Sequence, residues 1–171
     1  MSTSMAPTLK VGSMVMMVKG LPTSGPRRGD VIVFLRPDFD GSERFIKRCI
    51  GTAGDRVVVV NGAIVLNGQP VRAERVHPDF EYDDSLEESR KVRSPRWRET
   101  IGDVTFDSLR DDSAKADSYD EPVDVKVPDG AVFVLGDNRA NSMDSRHFGV
   151  VPREKVLGRV VLDPFGKDKP R

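Results

Sequence analysis

At 171 residues the chain is long enough for one domain with a buried apolar interior, or for one core carrying a sizeable insertion, and it needs no disulfide or metal to hold it together. Its 27 Lys and Arg balance 27 Asp and Glu, so net charge draws it to neither nucleic acid nor an anionic membrane, and its single cysteine, Cys49, excludes an internal disulfide and four-cysteine zinc sites. The longest aliphatic runs, Val31 to Leu35 and Val57 to Val60, fall far short of the roughly 20 residues a membrane-spanning helix needs, and no charged, apolar, cleavable leader opens the sequence.

In chain order, strand signals dominate and helix signals are scarce. The opening segment Ser2-Thr3-Ser4-Met5-Ala6-Pro7-Thr8-Leu9 reads as extended, and Met14, Met16 and Met17 after it read as core filler, with lipid contact as the alternative. Val31–Leu35, Arg56–Val60, Ala63–Leu66 and Ala131–Leu135 are β-branched or aromatic runs bounded by Gly, Pro, Asn and Asp, which is strand composition. Asn61-Gly62 and Asn67-Gly68 have the chemistry of two-residue type I′ turns, because both turn positions need positive φ. In the strand through Phe45-Ile46-Lys47-Arg48, side chains alternate, so Phe45 and Lys47 share one face while Ile46 and Arg48 share the other.

From His77 to Asp120 the texture turns polar. Between Pro78 and Glu121 there are 14 acids against 7 bases, the signature of a solvated acidic insertion on a mildly basic core. Within it, Trp97 to Phe106 alternates well enough for a hairpin with Gly102-Asp103 at its turn, whereas Ser85–Arg96 and Leu109–Pro122 have the composition of loops. The expected fold is all-β, mostly antiparallel with few short helices: a core of residues 1–55 and 127–164, an inserted hairpin-rich second domain of residues 56–126, and a tail of 165–171 of which Asp168 to Arg171 reads as dispensable.

Three segments carry the chemistry: Ser2 to Leu9, Phe45 to Arg48, and Gly136-Asp137-Asn138-Arg139-Ala140-Asn141-Ser142-Met143-Asp144-Ser145-Arg146. Far apart and in this order, they closely resemble the bacterial type I signal peptidases, serine proteases that use a lysine as general base, and the Trp97–Phe106 hairpin resembles one in the larger second domain of the Gram-negative members. The resemblance implies Ser4 as nucleophile and Lys47 as base, with the Ser4 N–H and Ser2 hydroxyl, two residues apart on one side of an extended segment, as oxyanion donors. It implies that Ser142 hydrogen-bonds and orients Lys47. Asp144 and Arg146 are a supporting ion pair reached by alternation, with Ser145 facing away, while Asp137, Asn138 and Arg139 shape the turn.

A serine hydroxyl is a poor nucleophile until a neighbour takes its proton, and a free lysine, with a pKa of about 10.4, is almost never neutral at pH 7. Lys47 therefore needs an apolar cage with no carboxylate partner. Carried over from the family, that cage falls on Phe34, Phe45, Val134, Leu135 and Met143. His77 lies in the polar insertion, and His147 reads as a surface or packing residue rather than a base.

What the resemblance implies is a membrane-associated endopeptidase cutting signal peptides from exported pre-proteins after small-x-small (Ala-x-Ala) motifs, on the extracytoplasmic side of the cytoplasmic membrane. No cofactor, metal or nucleic acid is implied; the partners are signal peptides and, through an N-terminal anchor missing here, the phospholipid bilayer. Family members carry transmembrane helices ahead of the nucleophile, so this sequence is expected to be a soluble truncated form, and Gly12-Ser13 stands where Gly-Asp is usual. Two rival classes share parts of this pattern. One is a self-cleaving Ser/Lys repressor-type peptidase, which requires a cleavage site and a DNA-binding module not seen in this sequence; the other is a catalytically inactive peptide-binding β domain.

Overall fold

A computed structural model describes residues 2–20, 25–38, 43–83, 91–110 and 122–161. These form thirteen strands: β1 (Met16–Lys19), β2 (Val31–Leu35), β3 (Arg44–Thr52), β4 (Arg56–Val60), β5 (Ala63–Leu66), β6 (Gln69–Pro70), β7 (Arg72–Asp83), β8 (Lys91–Ile101), β9 (Val104–Leu109), β10 (Val123–Lys126), β11 (Ala131–Leu135), β12 (Val151–Pro152) and β13 (Val156–Val161). The one α-helix among the described residues is α1 (Ser145–Phe148). The strands pair antiparallel in three sheets of order β1-β13-β2-β3-β11-β12, β10-β4-β5-β6 and β7-β8-β9. The fold is all-β, as the strand signals predict.

The turn chemistry acts where it stands in the sequence. Asn61 and Gly62 have φ of 48° and 73°, and Asn67 and Gly68 have 53° and 80°, so both Asn-Gly pairs place two residues at positive φ between paired strands. At Gly102-Asp103 only the glycine is at positive φ, 57°, which is the requirement of a type II′ turn between β8 and β9.

The expected loop from Ser85 to Arg96 is corrected in part. Lys91–Arg96 belongs to β8, which pairs with β7 from Asp83↔Lys91 to Arg72↔Thr100. The charges that suggest a solvated loop are cross-strand partners: Arg93 and Asp79 approach to 3.5 Å, and Arg96 and Asp107 to 3.8 Å. Pro95 fits because β7 bulges opposite it. Val76 pairs with Arg96 and Phe80 with Ser94, so three residues of β7 stand against one proline, and no regular ladder bond is lost. Leu109 and Arg110, also read as loop, are buried, and Leu109 bridges to Asn138. Residues 85–90 and 111–121 of those two expected loops, and the tail, lie outside the described residues.

Apolar side chains gather in three clusters. The largest draws Ile50 from the six-stranded sheet, Val57 and Ile64 from the four-stranded one, and Ile101 and Phe106 from the three-stranded one, together with Phe133 and Leu135. At about 1.5–3 kcal/mol for each such side chain, this shared burial is what ties the sheets together. Alternation along β2 sends Ile32 and Phe34 into a second cluster with Cys49, Val132, Val134 and Val151, and Val31 and Val33 into a third with Met5 and Val160. Burial on both faces accounts for the unbroken apolar run of β2. Of the three methionines read as core filler, only Met17 packs on the third cluster; Met14 is 99% exposed and Met16 49%.

Candidate active site

β3 delivers the central side chain. Lys47, 4% exposed, donates from Nζ to Ser4 Oγ at 2.6 Å and to the Ile46 carbonyl at 3.1 Å, with the Phe45 ring centroid 5.1 Å away. No carboxylate among the described residues comes within ion-pair distance of this nitrogen. Burial therefore lowers the Lys47 pKa to about 8, while Asp144 and Asp137, acting from farther off, pull it back upward. Both acids are already committed, Asp144 to Arg146 and Asp137 to Arg48.

Ser4 is not on an extended segment. Residues 4–8 form a turn in which the Ala6 N–H reaches the Thr3 carbonyl at 3.0 Å, followed by the Leu9 N–H to the Met5 carbonyl at 2.8 Å. The compact residues around Ala6 and Pro7 favour this over a strand. The turn is held from below by asparagines. The Asn138 N–H donates to the Ser4 carbonyl at 3.0 Å and its side-chain amide to the Thr3 carbonyl at 3.4 Å, while the Asn141 amide donates to Thr3 Oγ1 at 3.1 Å. Asn138 and Asn141 were not among the expected site residues, although both sit in the motif that flagged Ser142.

The expected lysine cage is assembled only in part. Phe34, Val134 and Phe45 pack in the cluster on the lysine's face of the sheet. Leu135 packs with Ile50 and Phe133 on the other face, because neighbours on a strand point oppositely, so Val134 and Leu135 do not both line Lys47. Met143 stands 45% exposed at the rim. A residue outside the expected set, Phe148, completes an aromatic triangle with Phe34 and Phe45, whose centroids are 6.0–6.1 Å apart. Its signal in the sequence was weak: one aromatic between a histidine and a glycine.

The supporting residues are arranged differently from the alternation argument. Ser2 Oγ accepts the Ser4 N–H at 3.1 Å, so the two expected oxyanion donors are adjacent but turned toward each other. Ser142 Oγ is buried beside the Asp144 carboxylate, makes no well-formed hydrogen bond and does not reach Lys47. It crowds Gly136 instead, where any Cβ would lie 2.6 Å from both Ser142 Cβ and the Ser4 carbonyl oxygen, so close approach alone requires glycine there. Asp144 is the N-cap of α1, accepting the Arg146 N–H at 3.2 Å and the Gly136 N–H at 2.9 Å, and this cap brings its carboxylate to Arg146 Nε at 2.9 Å. Burial pushes the Asp144 carboxyl up, but Arg146, the Gly136 N–H and the neighbouring Ser142 hydroxyl together hold it below the ordinary carboxylate range. Ser145, expected to face away, is buried and accepts the Val134 N–H at 2.9 Å. Arg139 does more than shape a turn: it pairs with Glu99 of β8 at 2.6 Å, both side chains 1% exposed.

A cleft of about 630 Å³ opens beside Ser4 and Lys47, walled by Leu9, Val15, Phe45 and Ile46 with Met143 at its edge. Pairing of β3 with β11 stops at Arg48, whereas its pairing with β2 continues to Arg44, so the stretch from Arg44 to Lys47 presents one sheet edge without a strand partner among the described residues. Neither histidine takes part: both are exposed, and the Ser4 hydroxyl is held by Lys47. Among the described residues no group of three His, Cys, Asp or Glu side chains could hold a metal ion, and no helix is long and apolar enough to cross a membrane.

Residues 1–163 match the family of signal peptidases, peptidase S26. The chain belongs to this family. It is 34% identical over 158 residues to the signal peptidase I of Bacillus caldolyticus, covering 92% of this chain and 72% of that protein. To the signal peptidase I of Leptolyngbya laminosa it is 31% identical, covering 94% of this chain and 64% of the relative. Among solved structures, the crystal structure of a signal peptidase I from Enterococcus faecalis V583 matches with a TM-score of 0.46 and 25% identity, over 80% of this chain and 97% of that one. The family read from three short motifs is borne out, and with it the assignment to the serine peptidases.

Proposed function

We propose that the chain is the catalytic part of a membrane-associated endopeptidase that removes N-terminal signal peptides from exported pre-proteins, cutting after small-x-small (Ala-x-Ala) motifs on the extracytoplasmic side of the cytoplasmic membrane. The observation that carries this reading is the 2.6 Å hydrogen bond between Lys47 Nζ and Ser4 Oγ inside a desolvated pocket. Neutral Lys47 takes the hydroxyl proton as Ser4 Oγ attacks the scissile carbonyl, and the resulting ammonium protonates the leaving amine. Water then hydrolyses the acyl-enzyme with Lys47 again as base.

The developing oxyanion needs donors free to face it. Rotation of the Ser2 side chain away from the Ser4 N–H supplies two at once, the freed N–H and the Ser2 hydroxyl. A turn of the Ser142 side chain from Asp144 toward Lys47 lets its buried Oγ accept from the ammonium once it forms. A leader peptide adds to the free edge of Arg44–Lys47 as an extended strand, with its small side chains in the shallow cleft. In this reading residues 1–55 and 127–164 are the catalytic core and 56–126 an insertion. The deciding experiment is incubation of the purified chain with a leader-bearing precursor and a serine-directed covalent probe. Cleavage after Ala-x-Ala and labelling of Ser4, both lost in Ser4→Ala, are expected. Binding of leader peptide with neither cleavage nor labelling would identify an inactive peptide-binding domain instead.

A further inference from the structure

We propose that Phe148 is a positioning residue for the proposed base: its ring, packed behind Phe45 and Phe34 at the end of α1, keeps water away from the Lys47 amine. The inference rests on Lys47 acting as the base. Phe34 is fully buried, while Phe45 and Phe148 are each half-buried, so the two outer rings together form the wall between the lysine's face of the sheet and solvent. The three rings meet edge to face, the arrangement aromatic pairs prefer, with centroids 6.0 Å apart for Phe34 and Phe148 and 6.1 Å for Phe45 and Phe148.

Phe45 itself acts on Lys47 in two opposing ways. It excludes water, which favours the free amine, but at 5.1 Å its ring face also attracts the ammonium. Phe148 makes no such contact with Lys47 among the described residues and so contributes through water exclusion alone. Removing it tips the balance one way.

The short helix thus holds two opposed levers on one amine. Asp144 at its N-cap favours the ammonium through space, partly neutralised by Arg146, and Phe148 at its end favours the free amine. The other charged groups facing this region are Asp137, held by Arg48; Arg36, with its guanidinium 5.8 Å from the Phe45 centroid; and Lys10, Glu43 and Arg44 along the cleft. His147, next to Phe148, is exposed to solvent. With the Lys47 pKa at about 8, roughly one molecule in ten is ready to react at pH 7. Water admitted by truncating Phe148 moves that value toward the free-lysine range.

The test is to titrate the Lys47 side-chain amine by NMR in the wild-type chain, Phe148→Ala and Phe148→Leu, and to measure kcat/KM for a leader-bearing precursor against pH in the same three proteins. Phe148→Ala is expected to raise the Lys47 titration by about one unit, lowering kcat/KM about tenfold at pH 7 while leaving the high-pH plateau within about twofold. Phe148→Leu, which keeps an apolar side chain, should shift it in the same direction by less, and it decides the matter alone if Phe148→Ala does not fold. An unmoved Lys47 titration in the folded variants, or an activity loss equal at every pH, overturns the inference. Because the titration is read without turnover, failure of the base assignment has its own mark: a wild-type acidic limb that does not coincide with the Lys47 titration.

Discussion

Lys47 and Arg48 are consecutive residues of β3, 4% and 1% exposed, and they meet burial in opposite ways. Arg48 faces the larger core with every demand answered: Asp137 accepts from Nε at 2.8 Å and from Nη2 at 2.6 Å, the Gly29 carbonyl accepts at 2.8 Å, and the Phe106 ring lies 4.0 Å from the guanidinium carbon. Lys47, on the other face, is given a hydroxyl and one carbonyl. A guanidinium cannot shed its proton in the working range, so burying it demands a counter-charge; an ammonium can, and burying it without one turns it into a base. Equal burial therefore serves structure on one face of the strand and chemistry on the other, and the partner decides which.

The largest effect should come from erasing that difference. Lys47→Arg keeps a cation but removes the removable proton, and a fall of on the order of 10³-fold or more in precursor cleavage is expected while the chain remains folded. Near-normal turnover would return the base role to another group. On the opposite face, Arg48→Met leaves the Asp137 carboxylate, 1% exposed, without its counter-charge and with only the Thr8 hydroxyl donating to it from a side chain, with an expected loss of about 3 kcal/mol in a urea melt. Adding Asp137→Leu should recover much of it. A single variant as stable as the parent would mean that the Thr8 hydroxyl and entering water suffice for Asp137.

The strands, the Asn-Gly turns and the segments carrying Ser4 and Lys47 are legible in the sequence because each is set locally, by propensity, by positive φ or by a short motif, whereas the hydrogen bond expected between Ser142 and Lys47 is not found. The misplacements have a common cause, alternation assumed where it does not hold or ignored where it does. Asp144 and Arg146 meet through a helix cap, not along a strand, and Val134 and Leu135, true strand neighbours, cannot share a face. The charged stretch of β7 and β8 looked solvated because its pairing partners sit on another strand, and the Glu99–Arg139 pair, 40 positions apart in sequence, left no local trace. Phe148 carries no local signal because its proposed role exists only through Phe34 and Phe45.

A smaller effect tests whether the chemical face is kept at the expense of stability. The unfolded chain holds the Lys47 proton up to about 10.4, whereas the folded chain releases it near pH 8. Between those values the unfolded state binds more protons, so stability rises with pH across that window, and below it the folded chain carries the full penalty of a buried ammonium. The span corresponds to about 3 kcal/mol, from which loss of the hydrogen bond to Ser4 removes about 1. Lys47→Met should therefore be more stable than the parent by about 2 kcal/mol at pH 7, with the advantage gone above pH 10. A gain that does not depend on pH would point to packing rather than charge.

The smallest effect probes the rim. Met143 lines the cleft but is 45% exposed, so a carboxylate placed there meets Lys47 through largely solvated space. Met143→Glu should favour the ammonium and move the acidic limb of kcat/KM upward by about 0.3–0.5 unit, the scale of a screened surface pair. Met143→Gln, with the same shape and no charge, separates this from any change in substrate fit. Raising salt to 1 M, where the screening length falls to about 3 Å, should abolish the shift in the glutamate variant and leave the glutamine variant unchanged. A limb that moves equally in both variants would show that Met143 acts on the peptide; one that moves in neither would place it beyond electrostatic reach of the lysine, leaving the aromatic wall and the two arginine-held acids to set the base.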